Sequence, residues 1–414
     1  MAEFERAVGE LGLAPGDPVP SVRTLAQCSG LAPGTIATAM AALRRRRTVV
    51  TRDRSGSVIA MALPSDGPSG VYLPAGTVDL AGGWPDPTLL PELGPVLARL
   101  ARSDGPRAGY GPPALDPGLE DWWRARLVVP GSSVTVTSGA LDAVDRALST
   151  SLRHGDRVAV EDPGYPPLLR VLRAQGLQPV AVSIDDEGFV PAALRAALGA
   201  GVEAVVCTPQ AQNPTGARLG APRAAALRRV LRGHDVLVVE DDHLGLLAPE
   251  PESLAGTTRR WLVARSVSKA LGPDLRVALV AGDADTVSAL ALRLQAGPGW
   301  VSHLLQRVVL ALLTDRSTDT VLRRALATYD ARRRALLAAL AAEGVTAQGA
   351  SGMNVWVPVA DETATCLALA DAGYAVAPGS PYRLVSPPAV RVTTAVLDEA
   401  DAPAVAAAVA RAPI

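Results

Sequence analysis

The stretch Ser266-Val-Ser-Lys-Ala-Leu-Gly-Pro-Asp-Leu-Arg276 guides the interpretation of this 414-residue sequence, because it holds Lys269, the only lysine in the chain. Arginine and lysine are near-equivalent on solvated surfaces, but only an amine can lose its proton and attack a carbonyl carbon. A single lysine can arise by chance. Next to Ser266, Ser268 and Arg276, which are donors suited to a phosphate, it predicts a nucleophilic amine beside an anion site.

Composition narrows the class of protein. Hydrophobic residues make up 48% of the chain and aromatic residues only 3%, so Ala, Val and Leu fill most of the predicted core. Forty basic residues against forty-one acidic ones exclude a wholly basic nucleic-acid binder but allow a local basic patch. No apolar run approaches the ~20 residues that span a bilayer. The three cysteines, Cys28, Cys207 and Cys366, lack metal-site spacing, so we expect no metal, no membrane and a reduced cytoplasmic setting.

From Val78 onward, short valine-rich runs alternate with helical stretches rich in Ala, Leu and Arg. This alternation predicts an α/β domain with a largely parallel sheet at about residues 85–300. A long helical region after Trp300, two more strands and a final helix predict a small α/β lobe at about 301–414. The predicted strands are Ser133–Thr137, Arg157–Val160, Val180–Ile184, Ala204–Thr208, Val236–Glu240, Leu262–Ser266, Val277–Ala281, Met353–Val359 and Val390–Thr394.

Residues 1–62 are predicted to form a separate small domain, joined to the body (78–414) by a linker at 63–77 that is rich in Pro, Gly and Ser. Ser21 is a candidate N-cap for its second helix. Its predicted elements are a helix at Met1–Leu11, a turn at Ala14–Asp17, a helix at Ser21–Gln27, a turn at Leu31–Gly34, a helix at Thr35–Arg46 and a β-hairpin at Thr48–Ala60.

Several polar motifs come directly after predicted strands, where ligands bind in a parallel α/β sheet. Taken singly, each is more typical of a turn, a loop or a surface arginine, but their joint occurrence favours a site. Free backbone N–H groups at the start of a helix can take a phosphate. The motifs are Ser138-Gly139-Ala140 at a helix start, Tyr165 in Glu161-Asp-Pro-Gly-Tyr-Pro, Asn213-Pro-Thr-Gly, Asp241 and Arg391.

Together these residues match the needs of pyridoxal 5′-phosphate (PLP). This cofactor needs an amine to form a Schiff base, an anion to keep its pyridine nitrogen protonated, a cup for its phosphate and a donor to its phenolic oxygen. The sequence offers a candidate for each need.

The same motifs resemble the aspartate-aminotransferase superfamily, the fold type I PLP enzymes, from about Asp79 to the C-terminus. The resemblance implies that Lys269 forms the Schiff base, Asp241 pairs with the pyridine nitrogen, and Tyr165 stacks on the ring. Asn213 would bond the phenolic oxygen and, with Arg391, bind a substrate carboxylate. Tyr110, in Ala-Gly-Tyr-Gly-Pro-Pro, would reach the phosphate of a neighbouring subunit, which implies a homodimer. The implied phosphate cup is Ser138, Gly139, Ala140, Ser266 and Arg276, and the hydroxyl of Ser268 is a further candidate donor to the cofactor.

The N-terminal region resembles the GntR-type winged helix-turn-helix in two stretches, Leu13-Ala-Pro-Gly-Asp-Pro-Val-Pro-Ser-Val-Arg-Thr-Leu-Ala26 and Gly34-Thr-Ile-Ala-Thr-Ala39. Thr35–Arg46 would be the recognition helix and Thr48–Ala60 the wing. A GntR-type head on an aminotransferase-like body is the layout of MocR-type transcriptional regulators. The implied DNA contacts are Arg23, Thr35, Thr38, Arg44, Arg45, Arg46, Arg47, Arg52 and Arg54.

Two positions depart from these families. The body has Asp241-Asp242-His243-Leu244 where a tyrosine usually follows the aspartate, so His243 takes the place of the donor to the phenolic oxygen. The head has Pro33-Gly34 where a Ser-Arg pair commonly opens the recognition helix.

Two functions remain open at this point. The first is a PLP-dependent DNA-binding transcriptional regulator whose body senses a small amine or amino acid. The second is a catalytically active class I/II aminotransferase with a degenerate head, in which Lys269 also moves the substrate's α-proton.

Overall fold

A computed structural model describes residues 19–29, 32–45, 49–52, 56–59, 76–102, 113–127, 129–247 and 252–412. The chain divides into two compact units, residues 1–71 and residues 72–414. The predicted helix at Met1–Leu11, the turn at Ala14–Asp17 and most of the linker lie outside the described residues.

In its described part, the first unit has two helices followed by an antiparallel hairpin. Ser21 precedes the first helix, and its Oγ accepts a 3.1 Å hydrogen bond from the backbone N–H of Thr24, as an N-cap does. The second helix begins two residues earlier than predicted, at Pro33, because proline is favourable in a first helical turn. The elements are α1 (Val22–Ser29), α2 (Pro33–Arg45), β1 (Val49–Arg52) and β2 (Gly56–Ile59).

A small apolar core joins the two helices of this unit. Leu25 and Ala26 of α1 pack with Ile36 and Met40 of α2. Ile36 and Met40 lie one helical turn apart, so they share a face.

The second unit opens with elements that precede its main sheet: β3 (Val78–Leu80), a 3₁₀ turn at Pro87–Leu89, α3 (Gly94–Arg102) and α4 (Pro117–Arg124). The main sheet then has the order β4-β11-β10-β9-β8-β5-β6-β7, in which β11 and β7 run antiparallel to their neighbours and the other strands are parallel. The largely parallel sheet is therefore confirmed. Its strands are β4 (Ser133–Thr137), β5 (Arg157–Asp162), β6 (Gln178–Asp185), β7 (Gly188–Phe189), β8 (Ala204–Cys207), β9 (Leu237–Asp242), β10 (Arg260–Ser266) and β11 (Ala278–Gly282).

Helices cover both faces of this sheet. Leu237 and Val239 of β9 pack into one buried cluster, whereas Val238 between them packs into another. Successive strand residues point to opposite faces, so both faces are buried. The helices of this lobe are α5 (Ala140–Ser151), α6 (Pro166–Ala174), α7 (Pro191–Gly199), α8 (Ala221–Leu231), α9 (Ser268–Leu271) and α10 (Ala284–Gln295).

The small lobe has a second sheet with the order β12-β14-β13-β3. Two of these strands, β13 and β3, were not predicted: β3 has three residues, and β13 contains two alanines and a proline, which are poor strand formers. Among the described helices, none combines the length and apolar character needed to cross a bilayer. The elements are α11 (His303–Leu313), α12 (Arg316–Ala342), β12 (Asn354–Pro358), α13 (Glu362–Asp371), β13 (Tyr374–Pro378), β14 (Ala389–Thr393) and α14 (Ala402–Arg411).

Two central strands run further than predicted, into acidic residues. β9 continues through Asp241 and Asp242, which pair in register with Ala264 and Arg265 of β10. β5 likewise continues to Asp162. Asp241 is therefore fixed by the sheet itself and does not belong to a loop after it.

Candidate cofactor site

Lys269 lies in the short helix α9, directly after β10. Its Nζ donates a hydrogen bond to the carbonyl oxygen of Gly83 and lies 5.5 Å from the centre of the Trp84 ring. A cation over an indole face is attracted by the ring's electron density. Both contacts come from the segment after β3, so the amine is held where the large lobe meets a strand of the small-lobe sheet.

Asp241 presents a buried carboxylate oxygen, Oδ1, that has no hydrogen-bond partner among the described residues. Burial raises the pKa of Asp241 to about 7, and the charge of Asp242 adds to the effect. A buried acceptor without a donor is costly, so this oxygen is suited to a proton donor from a ligand. Asp241, Tyr165 and Glu161 line the same pocket.

The neighbouring Asp242 has the opposite environment. Its carboxylate accepts a 2.8 Å bond from Nε of Arg265 and a 3.2 Å bond from Nε2 of Gln210. Asp242 and Arg265 are both buried. These two adjacent acidic residues therefore differ in their partners. The charge of Asp242 is balanced by Arg265, whereas Oδ1 of Asp241 has no hydrogen-bond partner among the described residues.

A candidate phosphate cup forms where β4 ends and α5 begins. Gly139 has a φ of 105°, and a Cβ there would lie 2.7 Å from Nη2 of Arg276. Arg276, itself left-handed with a φ of 45°, donates a 3.0 Å bond from Nη2 to the Ser138 carbonyl. The structure thus brings the predicted guanidinium to the start of the helix that Ala140 opens. The Oγ of Ser266 accepts a 3.2 Å bond from the backbone N–H of Ser268.

Asn213 and Arg391 also meet in the structure. Nη1 of Arg391 donates a 3.0 Å bond to Oδ1 of Asn213, and its Nη2 donates to the Ala81 carbonyl. The guanidinium lies 5.0 Å from the centre of the Tyr382 ring, and Arg391 is 1% exposed. Since Oδ1 of Asn213 accepts from Arg391, this amide has its N–H groups to offer a ligand.

Burial lowers the pKa of His243 to about 4, and the positive charge of Lys269 lowers it further. The ring hydrogen-bonds to the backbone of Ala211, which acts in the opposite direction. At neutral pH the imidazole is therefore uncharged.

Known proteins are similar to this chain in its body and over nearly its whole length. The family model "Aminotransferase class I and II" matches residues 77–409. The vitamin B6 salvage pathway transcriptional repressor PtsJ of Salmonella typhimurium is 40% identical over 398 residues, which cover 93% of this chain and 91% of that protein. The chain belongs to the MocR-type transcriptional regulators. Its body is a class I and II aminotransferase domain, a family that typically binds PLP.

Two further proteins place this MocR-type regulator among its relatives. The HTH-type transcriptional regulator TauR of Rhodobacter capsulatus is 34% identical over 241 residues, covering 56% of this chain and 48% of TauR. A mutant aspartate aminotransferase of Thermus thermophilus superposes with a TM-score of 0.71 at 26% identity, covering 81% of this chain and 96% of that one. The fold type I body that the motifs predicted is confirmed.

The sequence motifs assigned no role to Glu161 and Gln212, which join two site loops in this regulator. Glu161 accepts a 2.9 Å bond from the Thr208 backbone N–H and a 3.1 Å bond from Nε2 of Gln212. Gln212 also donates a 2.9 Å bond to the Pro163 carbonyl. It therefore ties the loop that carries Tyr165 to the loop that carries Asn213. The only sequence signal was its position directly before Asn213.

The segment Ala81–Trp84 was also missed. It supplies the carbonyl partners of Lys269 and Arg391, yet no motif in it suggested a ligand site. Its one signal is the Gly82-Gly83 pair, and a Cβ on Gly82 would lie only 2.8 Å from Cδ1 of Trp84.

The predicted DNA contacts are only partly described. Arg23, Thr35 and Thr38 are exposed on α1 and α2. Arg44 and Arg45 lie in α2 and Arg52 lies in β1. Arg46, Arg47 and Arg54, together with Tyr110 of the body, lie outside the described residues.

Proposed function

We propose that this MocR-type regulator binds PLP through Lys269, senses a small amine or amino acid at that cofactor, and thereby changes the DNA affinity of its N-terminal domain. The N-terminal domain would comprise residues 1–62. The linker would comprise residues 63–77, and the PLP-binding body residues 78–414. When bound, the cofactor supplies an aldehyde that takes up an amine covalently and a ring that withdraws electrons.

The observation that carries this proposal is the carboxylate of Asp241. Its Oδ1 is buried and has no hydrogen-bond partner among the described residues, and desolvation raises the pKa of the group to about 7. A protonated pyridine nitrogen supplies the donor and the positive charge that this oxygen lacks. Tyr165 lines the same pocket and offers a ring face for stacking.

The helix start at α5 supports the phosphate end of the cofactor. Gly139 leaves backbone uncovered beside the guanidinium of Arg276. Backbone N–H groups at a helix N-terminus and an arginine fork are both suited to phosphate oxygens. Ser138, Ala140 and Ser266 complete the proposed cup, and the hydroxyl of Ser268 is a further candidate donor to the cofactor.

The Arg391–Asn213 pair supports a ligand that carries a carboxylate. A buried guanidinium binds a carboxylate through two parallel hydrogen bonds. Because PtsJ is by its name a repressor of vitamin B6 salvage, PLP itself is the first effector to test in this chain. His243 would lie at the phenolic oxygen as a hydrogen-bond donor, and it is uncharged at pH 7.

The N-terminal domain would bind operator DNA in the cytoplasm. The exposed Arg23, Thr35 and Thr38, with Arg44, Arg45, Arg46, Arg47, Arg52 and Arg54, are the proposed contacts. The aminotransferase fold forms dimers, and we propose a homodimer in which Tyr110 of each subunit reaches the phosphate bound by the other. A dimer would present two heads to a two-fold symmetric site.

Transamination is the second candidate, and the Arg391–Asn213 contact is the observation that favours it, because the same pair would orient an amino-acid substrate. That function requires complete conversion of the cofactor to its pyridoxamine form with release of a keto acid. A stable ligand-bound spectrum without keto acid would rule it out.

A gel-shift and footprint of the full chain on its own upstream DNA, with and without PLP, tests the regulatory function. We expect a protected site whose occupancy changes with PLP. The absence of specific binding in both conditions would disprove the proposal.

A further inference from the structure

Trp84 is an exposed aromatic residue in a chain with few aromatics. It is 51% exposed, yet its ring lies 5.5 Å from Nζ of Lys269. An exposed indole face can bind flat or apolar groups. A tryptophan that borders a functional group can therefore contact a ligand bound at that group.

The backbone on both sides of Trp84 is fixed. Before it, Oδ1 of Asp79 accepts bonds of 2.9 and 3.0 Å from the backbone N–H groups of Ala81 and Gly82. After it, the backbone N–H of Asp86 donates a 3.0 Å bond to the hydroxyl of Tyr329. The indole is therefore presented by an anchored segment.

Gly82, two residues before Trp84, leaves the room that the indole occupies. A Cβ on Gly82 would lie 2.8 Å from Cδ1 of Trp84, which is closer than side-chain carbons come. The indole thus packs back over the Gly82 backbone, while 51% of the residue stays exposed.

The same segment borders both cations of the site. The Ala81 carbonyl accepts from Arg391 and the Gly83 carbonyl accepts from Lys269. A ligand whose carboxylate binds Arg391 and whose amine replaces Lys269 on the cofactor must lie along Ala81–Trp84. Its side chain then has Trp84 within reach.

We propose that Trp84 forms an aromatic wall of the ligand site and selects amines that carry a flat, apolar side chain. This inference rests on the proposed PLP site. In the exchange, one C=N bond to the cofactor's aldehyde carbon breaks and another forms, Lys269 leaves as a free amine, and no oxidant or reductant is consumed. Trp84 takes no part in that chemistry and contributes only to ligand affinity.

Spectral titration of the PLP-loaded full chain with L-phenylalanine and L-alanine tests the wall. We expect the wild type to prefer L-phenylalanine by about two- to tenfold, the contribution of one aromatic pair. Trp84→Ala should remove this preference, and Trp84→Phe should retain most of it. Trp300→Ala, at another exposed tryptophan that stacks on His303, should leave the preference unchanged.

The outcomes distinguish the role of Trp84 from the proposed PLP binding on which it rests. If Trp84→Ala keeps both the lysine-bound cofactor spectrum and the wild-type preference, Trp84 does not select the ligand, while PLP binding through Lys269 is supported. If the wild type responds to neither amino acid, or prefers L-alanine, the wall is also wrong. If the wild type never shows a lysine-bound cofactor, the proposed function fails and this inference fails with it.

Discussion

The two halves of the site differ in whether their polar groups have hydrogen-bond partners within the protein. The proposed cofactor half, made of Ser138, Gly139, Tyr165, Asp241 and Arg276, lies at the ends of large-lobe strands and holds a carboxylate oxygen that accepts no hydrogen bond from the described part of the chain. The ligand half, made of Ala81–Trp84, Asn213 and Arg391, draws on both sheets, and its polar groups bond to one another. The cofactor half thus offers a carboxylate oxygen to a cationic donor. In the ligand half, a bound ligand must replace hydrogen bonds that the protein makes to itself.

Lys269 stands between the halves. It follows a large-lobe strand, but its hydrogen bond goes to Gly83 of the ligand half. Bonding of this amine to a cofactor removes that contact, so occupancy of one half changes the other. The segment it would release follows β3 and the linker along the chain, which gives a covalent route toward the N-terminal domain.

Loss of the amine has the largest expected effect. Lys269→Ala should abolish the visible absorbance of lysine-bound PLP, because no other lysine exists in the chain. Lys269→Arg keeps the cation and should abolish it equally, since guanidinium is not a nucleophile at neutral pH. If either variant still formed a Schiff base with PLP, the reacting amine would be the N-terminal α-amino group. That result would contradict the assignment of Lys269 as the residue between the two halves.

The adjacent acids of β9 separate folding from binding. Asp242→Asn should cost about 3–5 kcal/mol of unfolding free energy, because it leaves Arg265 buried without its counter-charge. Asp241→Asn should cost little stability but weaken PLP about ten- to a hundredfold, as loss of a charged hydrogen bond does. Urea denaturation and PLP titration of both variants measure this. Equal effects on PLP affinity would contradict the assignment.

Arg391→Lys probes the ligand half alone. A lysine cannot form the bidentate pair with a carboxylate, so we expect about a tenfold loss of affinity for L-phenylalanine. Affinity for 2-phenylethylamine, which lacks the carboxylate, and PLP binding should both stay near the wild-type values. A parallel loss for the two ligands would show that Arg391 supports the site structurally instead of binding the carboxylate.

The smallest effect concerns pH. Burial raises the pKa of Asp241 and of Glu161 to about 7, so the folded cofactor-free protein holds protons that the unfolded chain has released. Stability from these groups is present in acid and is lost as pH rises through 7. Asp241→Asn should therefore reduce the decline in unfolding free energy between pH 6 and 7 by about 1 kcal/mol. An unchanged slope in urea denaturation would show that Asp241 is ionised throughout.

The sequence could predict the strand-end positions of several proposed cofactor residues, for a physical reason. Ser138, Asp241 and Lys269 each follow or end a strand, and parallel strands bring their carboxyl ends to one edge. The contact between Asn213 and Arg391 was predicted only as a shared role, through resemblance. Trp84 was missed because its segment reaches Lys269 across 186 positions, after a strand too short to show a pattern. The uncharged state of His243 depends on its burial and on the charge of Lys269, which no motif encodes.

The most direct test of the central claim is an anisotropy titration of the upstream DNA with the wild type and with Lys269→Ala, each with and without PLP. The account predicts that PLP changes the affinity of the wild type by about fivefold or more, a typical coupling between two sites, and leaves Lys269→Ala unchanged. An equal change in both proteins, or no change in the wild type, would contradict it.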